Sequence, residues 1–152
     1  MGLFSFIKTA GKKIFGSKEA EAPAEHKPQL KAQALVNYIK TLGLPFQTIT
    51  LTLRGDDVVL QGEVDKQSDS EKIVLAVGNV EGVDTVDNQM RVKTPTPEAR
   101  YHTVVSGDWL SKIAEKYYGD AKKYDVIFEA NKPMLKDPDE IYPGQVLRIP
   151  NL

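Results

Sequence analysis

Two histidines, His26 and His102, and two acidic groups, Asp56-Asp57 and Asp137-Pro-Asp-Glu140, are the side chains of this 152-residue chain best suited to chemistry. A histidine beside a Ser or Cys nucleophile would point to acyl transfer, and an opposed carboxylate pair to general acid–base work. Neither histidine has such a partner in its local sequence: His26 falls in a polar stretch and His102 in an expected strand. Both acidic groups read as solvated turns, and neither follows the calcium-loop pattern. No phosphate-loop or dinucleotide motif is present. The chain has no cysteine, so disulfides, a thiolate nucleophile and zinc–thiolate sites are excluded. The expectation is a binding protein, not an enzyme.

Composition narrows the partners. Hydrophobic residues make up 41% and charged residues 27%, as in a globular protein of one ordinary or two small domains. The net charge of −1 gives no general attraction to nucleic acid or anionic lipid. Only residues 1–28 are basic, with five Lys against three Glu; residues 29–93 hold seven basic against nine acidic side chains, and 98–152 eight against nine. No apolar run approaches the roughly 20 residues that span a bilayer. Lysines interrupt the start, so no signal-peptide core forms, and Phe6 stands where myristoylation wants Ser or Thr. A cytoplasmic monomer without a stable membrane anchor is expected.

These residues must be positioned by elements that the patterning marks out. Leu3, Phe4, Phe6, Ile7, Ala10, Ile14 and Phe15 fall on one side of an amphipathic N-terminal helix over residues 1–16, with Lys8, Lys12 and Lys13 opposite. Its expected role is to dock on the next domain and bury Phe4, Phe6, Ile7 and Phe15; lying on a membrane surface is the alternative. Residues 17–28 read as a polar, proline-containing linker. A helix over Gln29–Leu42 stops at Gly43. Thr48–Leu53 and Val58–Val64 alternate as a hairpin about Arg54-Gly-Asp-Asp57. A helix capped by Asp65 or Ser68 runs to about Val77, and Thr85–Val92 forms a third strand. The order over 29–93 is αββαβ. Residues 94–98 form a proline hinge, and 99–152 read as βααβ.

The segment Tyr101-His-Thr-Val-Val-Ser-Gly-Asp-Trp-Leu-Ser-Lys-Ile-Ala114, with Ile141-Tyr-Pro-Gly-Gln-Val-Leu-Arg-Ile-Pro150, resembles a LysM domain, a βααβ module known for binding N-acetylglucosamine-containing glycans. By that resemblance a sugar groove falls at Gly107, Asp108, Trp109 and Leu110, facing 136–139, Ile141 and Tyr142. The indole would either stack on a pyranose or pack on Tyr117 or Tyr118. Asp108 is first of all an expected helix N-cap. Val59-Leu-Gln-Gly-Glu-Val64 and Val80-Glu-Gly-Val-Asp-Thr-Val-Asp-Asn-Gln-Met-Arg-Val92 resemble a BON domain, a three-stranded sheet covered by two helices. The whole chain, from Met1-Gly-Leu-Phe-x-Phe6 to the LysM end, is similar to the cytoplasmic bacterial potassium-binding proteins. The implied fold class is α+β: an amphipathic N-terminal helix, a BON-like domain and a LysM domain.

The resemblance implies one K⁺, with Rb⁺ or Cs⁺ as further candidates, held by main-chain carbonyls and accompanied by a change of shape. Carried over by residue, the ligands are the carbonyls of Ile7, Ala10, Gly78, Val80 and Val83. The chemistry is consistent, because neutral carbonyls can replace the water shell of K⁺ and a helix end leaves carbonyls unpaired. Taken without the resemblance, Gly78 and Gly82 read as ordinary capping and turn residues. The rival function is a cell-envelope adaptor that binds peptidoglycan through LysM and lipid through BON. In the cytoplasm, glycan binding is the secondary expectation.

Overall fold

The computed structural model describes residues 2–15 and 27–152. Most of the expected 17–28 linker, and His26, lie outside the described residues. The α+β class holds, with one change at the start. Gly2–Ser5 is a strand (β1), not the first turn of a helix, and residues 6–15 form turns and a bridge. Two causes are visible. Phe4 and Phe6 face the interior at a spacing of two, and β1 pairs antiparallel along an open strand edge, Phe4 opposite Val86. Gly11, at φ +118°, lies outside helical conformation. An isolated helix of this length would be marginal, whereas a sheet edge supplies backbone partners at once.

The remaining elements follow the expected order. Helix α1 (Lys27–Leu42) ends where Gly43 turns left-handed; Gly43 N–H donates to Lys40 O at 3.0 Å and Leu44 N–H to Ile39 O at 3.3 Å. That pair of bonds is a Schellman stop. β2 (Thr48–Arg54) and β3 (Asp57–Lys66) form a hairpin closed by Arg54 opposite Asp57. Helix α2 (Gln67–Gly78) carries the chain across to β4 (Thr85–Thr94), which runs parallel to β3. The sheet order is β1-β4-β3-β2, so the N-terminus adds a fourth strand to the three expected. Neither Asp65 nor Ser68 caps α2: the N-cap position is Lys66, without a side-chain bond, and Asp65 instead accepts from Gln47.

β5 (Arg100–Thr103) pairs antiparallel with β6 (Val146–Ile149). Between them lie α3 (Leu110–Tyr118), a 3₁₀ turn (Ala121–Lys123) and α4 (Tyr124–Ala130). Helix α3 begins at Leu110, so Asp108 is not its cap.

Helices α1 and α2 cover one face of the larger sheet, where Leu35, Ile39, Leu60, Ile73, Val74, Val77 and Val86 are completely buried. The second half of α2, residues 73–78, is apolar and buried all round because β6 packs against the helix as well. Val146 of β6 belongs to that core, and Phe4 of β1 meets Tyr101 of β5 edge-to-face at 5.1 Å. The sheet domain and the βααβ domain therefore share packed apolar surface. A second cluster around Ile113, Ile127, Leu135, Leu147 and Ile149 fills the βααβ domain itself.

Candidate cation site at the N-terminal turn

The five residues carried over from the resemblance lie on two segments that the fold lays side by side. After β1, Phe6 N–H donates to Asp84 O at 2.8 Å. Gly82 N–H then donates to Lys8 O at 2.7 Å, Lys12 N–H to Asn79 O at 2.9 Å, and Glu81 N–H to Lys12 O at 2.9 Å. Four main-chain bonds thus lace residues 6–12 to 79–84, closing an interval of some seventy residues. Ile7 is 49% exposed, and its carbonyl accepts from Ala10 N–H at 3.0 Å. Gly78 is the last residue of α2, buried beneath the Phe6 ring, which leaves no room for a side chain there. Val80 and Val83 are buried; Val83 N–H donates to Val80 O at 3.2 Å. The expected docking of the N-terminus is realised, with Phe6 buried, Phe4 and Phe15 half-buried and Ile7 left at the surface.

Charge at the site is modest. Lys8 pairs with Asp56 at 2.9 Å across exposed surface. That hydrogen bond and then the Asp56 charge hold the ammonium above its usual value. Among the described residues no three His, Asp or Glu side chains gather as metal ligands.

The βααβ domain closes over the same turn. The missing Cβ of Gly144 would lie 2.8 Å from Ala10 Cβ and 3.5 Å from Ile7 Cδ1. Asn79, flanked by Gly78 and Val80, sends its side chain to β6: Nδ2 donates to Val146 O at 2.8 Å, and Val146 N–H donates to Oδ1 at 2.9 Å. The sequence did carry a signal for this clamp. Asn79 is the one polar side chain in the otherwise apolar run from Ile73 to Val80, and a buried amide needs partners.

Residues 30–94 match the BON domain model and 102–150 the LysM domain model. The chain is 41% identical over 151 residues to the potassium-binding protein Kbp of Escherichia coli O6:H1, covering 99% of both chains. This chain belongs to that protein's family. A Deinococcus radiodurans protein is 36% identical over 78% of this chain and 51% of its own. An esterase of Mycobacterium tuberculosis is 36% identical over 77 residues, only 16% of its length. That short overlap carries no catalytic assignment to this BON–LysM protein.

The LysM groove differs in detail from expectation. Trp109 is 56% exposed and lies under the Lys112 ammonium at 4.7 Å. With Leu110, Ser111, Tyr124, Pro138 and Asp139 it lines an open groove of about 300 Å³. Asp108 accepts from Val105 N–H at 3.0 Å and faces His102 Nε2 at 2.9 Å, while His102 Nδ1 lies 3.0 Å from the Tyr117 hydroxyl. This Tyr–His–Asp chain escaped the sequence because its members lie six and fifteen residues apart; it has no Ser or Cys and ties the first loop to α3. Burial raises the Asp108 carboxyl, but the His102 and Val105 hydrogen bonds outweigh it and hold the group below its usual value. Its stabilising contribution is therefore complete above the ordinary carboxylate range and is lost as pH falls through the depressed value. Asp108→Asn should lower the melting temperature at neutral pH and flatten its decline in acid, read from melting curves across pH.

Proposed function

We propose that this protein binds one K⁺ through the main-chain carbonyls of Ile7, Ala10, Gly78, Val80 and Val83. It acts as a monomeric cytoplasmic sensor or buffer that becomes more compact when loaded. The observation that carries the reading is the lacing of residues 6–12 to 79–84, which puts the two carbonyl-bearing segments against each other. The 41% identity to a potassium-binding protein over nearly the full chain supports K⁺ as the ion. Carbonyl oxygens are neutral and suit a large, weakly hydrated cation that would not repay the dehydration of strong-field carboxylates. Rb⁺ and Cs⁺ fit the same reasoning. Because the turn is also gripped by Gly144 and Asn79, ion binding favours the state in which both domains pack on it.

Calorimetric titration of alkali-free protein with KCl, and NaCl as control, tests this. A saturable K⁺ isotherm is expected, lost on deleting residues 1–11. Main-chain ligands do not titrate, so the affinity should stay level from about pH 8 down to about 4, whereas a carboxylate site would weaken as pH falls through about 4–4.5. A flat K⁺ trace would sink the reading. Bound K⁺ should also raise the melting temperature, by about 2.7 kcal/mol of added stability at a hundredfold excess over Kd.

The exposed Trp109 groove favours a second activity, stacking of a glycan pyranose on the indole. Retention on peptidoglycan sacculi that is lost in Trp109→Ala would establish it.

A further inference from the structure

Gln145, in the turn that LysM lays against the N-terminal segment, has a feature that neither packing nor turn formation explains. The residue is 4% exposed, and its amide oxygen Oε1 has no hydrogen-bond partner among the described residues. Its main chain is fully engaged: N–H donates to Tyr142 O at 3.1 Å, and its carbonyl accepts from Val104 N–H at 2.8 Å. From this fixed backbone Gln145 lines a cleft of about 200 Å³ together with Gly11, Lys12, Asn79, Glu140 and Tyr142. Each of those first three residues sits beside a proposed ligand or in the bridge that holds the two segments together. The preceding Gly144 touches Ala10 and Ile7. Lys12 and Glu140 border the same cleft but are exposed, and neither bonds to the amide oxygen. A buried acceptor without a donor is unfavourable and calls for a hydrogen-bond donor or a cation.

We propose that Gln145 supplies the LysM oxygen of the cation site, its amide carbonyl closing from the LysM side the set of main-chain carbonyls at residues 7–10 and 78–83. This rests on the K⁺ reading above. The chemistry matches, since a side-chain amide oxygen has the same neutral, weak-field character as a main-chain carbonyl. It also gives LysM a direct part in sensing the ion rather than a passive role as packing.

The test compares wild type, Gln145→Met and Gln145→Glu by K⁺ and Na⁺ calorimetry and by melting in alkali-free buffer. Methionine keeps the length and removes the acceptor. K⁺ Kd should rise about tenfold, a change of about 1.4 kcal/mol, while the ion-free protein melts at the same temperature or higher because the unpaired oxygen is gone. Glutamate keeps an oxygen and adds charge, so it should still bind K⁺ but discriminate less against Na⁺. A Gln145 that merely holds a structural water predicts the reverse: a lower ion-free melting temperature with unchanged K⁺ affinity, and that result overturns the proposal. Equal K⁺ binding by wild type and Gln145→Met overturns it alone, whereas no K⁺ binding by wild type overturns the underlying reading. Should the methionine variant fail to fold, the glutamate variant decides, and unaltered K⁺/Na⁺ discrimination would count against Gln145.

Discussion

Gly11→Ala should abolish measurable K⁺ binding while leaving the BON sheet folded. Gly11 sits at φ +118°, where an L side chain is strained by roughly 1–3 kcal/mol. Strain alone would not decide the outcome. The added Cβ would press into the carbonyl oxygen of Asn79, and would lie 2.8 Å from Asn79 C and 3.0 Å from Glu81 N. These are backbone atoms of the opposing segment and cannot rotate away. The only relief is to part the two segments, which breaks the Lys12–Asn79 and Glu81–Lys12 bonds that hold residues 6–12 in place.

Gly43 provides the matched control. It too has positive φ, at +76°, but a Cβ there meets nothing within 4 Å. Gly43→Ala should therefore lose only the left-handed strain of about 1–2 kcal/mol and keep its K⁺ affinity. For Gly11→Ala we expect Kd to rise at least about a hundredfold, or about 2.7 kcal/mol, with the K⁺-dependent rise in melting temperature gone. Far-UV circular dichroism should remain close to wild type, because β2, β3, β4, α1 and α2 do not depend on the turn. Calorimetry of the two alanine variants side by side separates the cases. Normal K⁺ binding by Gly11→Ala would mean that the ion does not sit where residues 6–12 meet 79–84.

The contrast between these glycines also marks what could be read from the chain. The hairpin of β2 and β3 was legible because Ile49, Leu51 and Leu53 alternate with threonines up to a Gly-Asp turn, and both signals are local. The end of α1 was legible for the same reason, through Gly43. The start of the chain was not. Leu3, Phe4, Phe6, Ile7, Ala10, Ile14 and Phe15 fit a helical stripe, yet Phe4 and Phe6 also fit a strand. What selects the strand is the free edge of β4, eighty residues away, which no window on the first fifteen residues contains. The expected caps on Asp65, Ser68 and Asp108 failed similarly, since Gln47, and for Asp108 His102 and Val105, compete for two of those carboxylates. Main-chain ligands leave no side-chain pattern, so the proposed site came only from resemblance. Of the side chains around it, Asn79 stands out as a polar group in an apolar run, and its partners emerge only once the two domains are packed; Gln145 follows an ordinary Pro-Gly turn and carries no such signal.

Arg148→Met should cost about 3–5 kcal/mol, the loss typical of leaving a buried charge without its partner. Glu71, on α2 of the BON domain, is 1% exposed. Its Oε1 accepts from Arg148 Nε at 2.7 Å, and its Oε2 accepts from Ala99 N–H at 3.2 Å and Gln67 Nε2 at 3.1 Å. One carboxylate thus joins α2, the start of the βααβ domain at Ala99 and β6, and removing the guanidinium leaves a buried anion with neutral donors alone. The neighbourhood shows how unfavourable that is. Burial first, and the nearby Glu71 charge second, push the Tyr101 phenol well above its ordinary value. A loss of this size is a large fraction of the 5–15 kcal/mol that holds a typical domain together. It should appear in urea melts as a shifted midpoint. Adding Glu71→Gln to Arg148→Met removes the unpaired charge while keeping an acceptor for Ala99, and should recover most of the stability. If the double variant is instead no better than the single, the charge is not what matters, and the guanidinium holds the two domains together through packing alone.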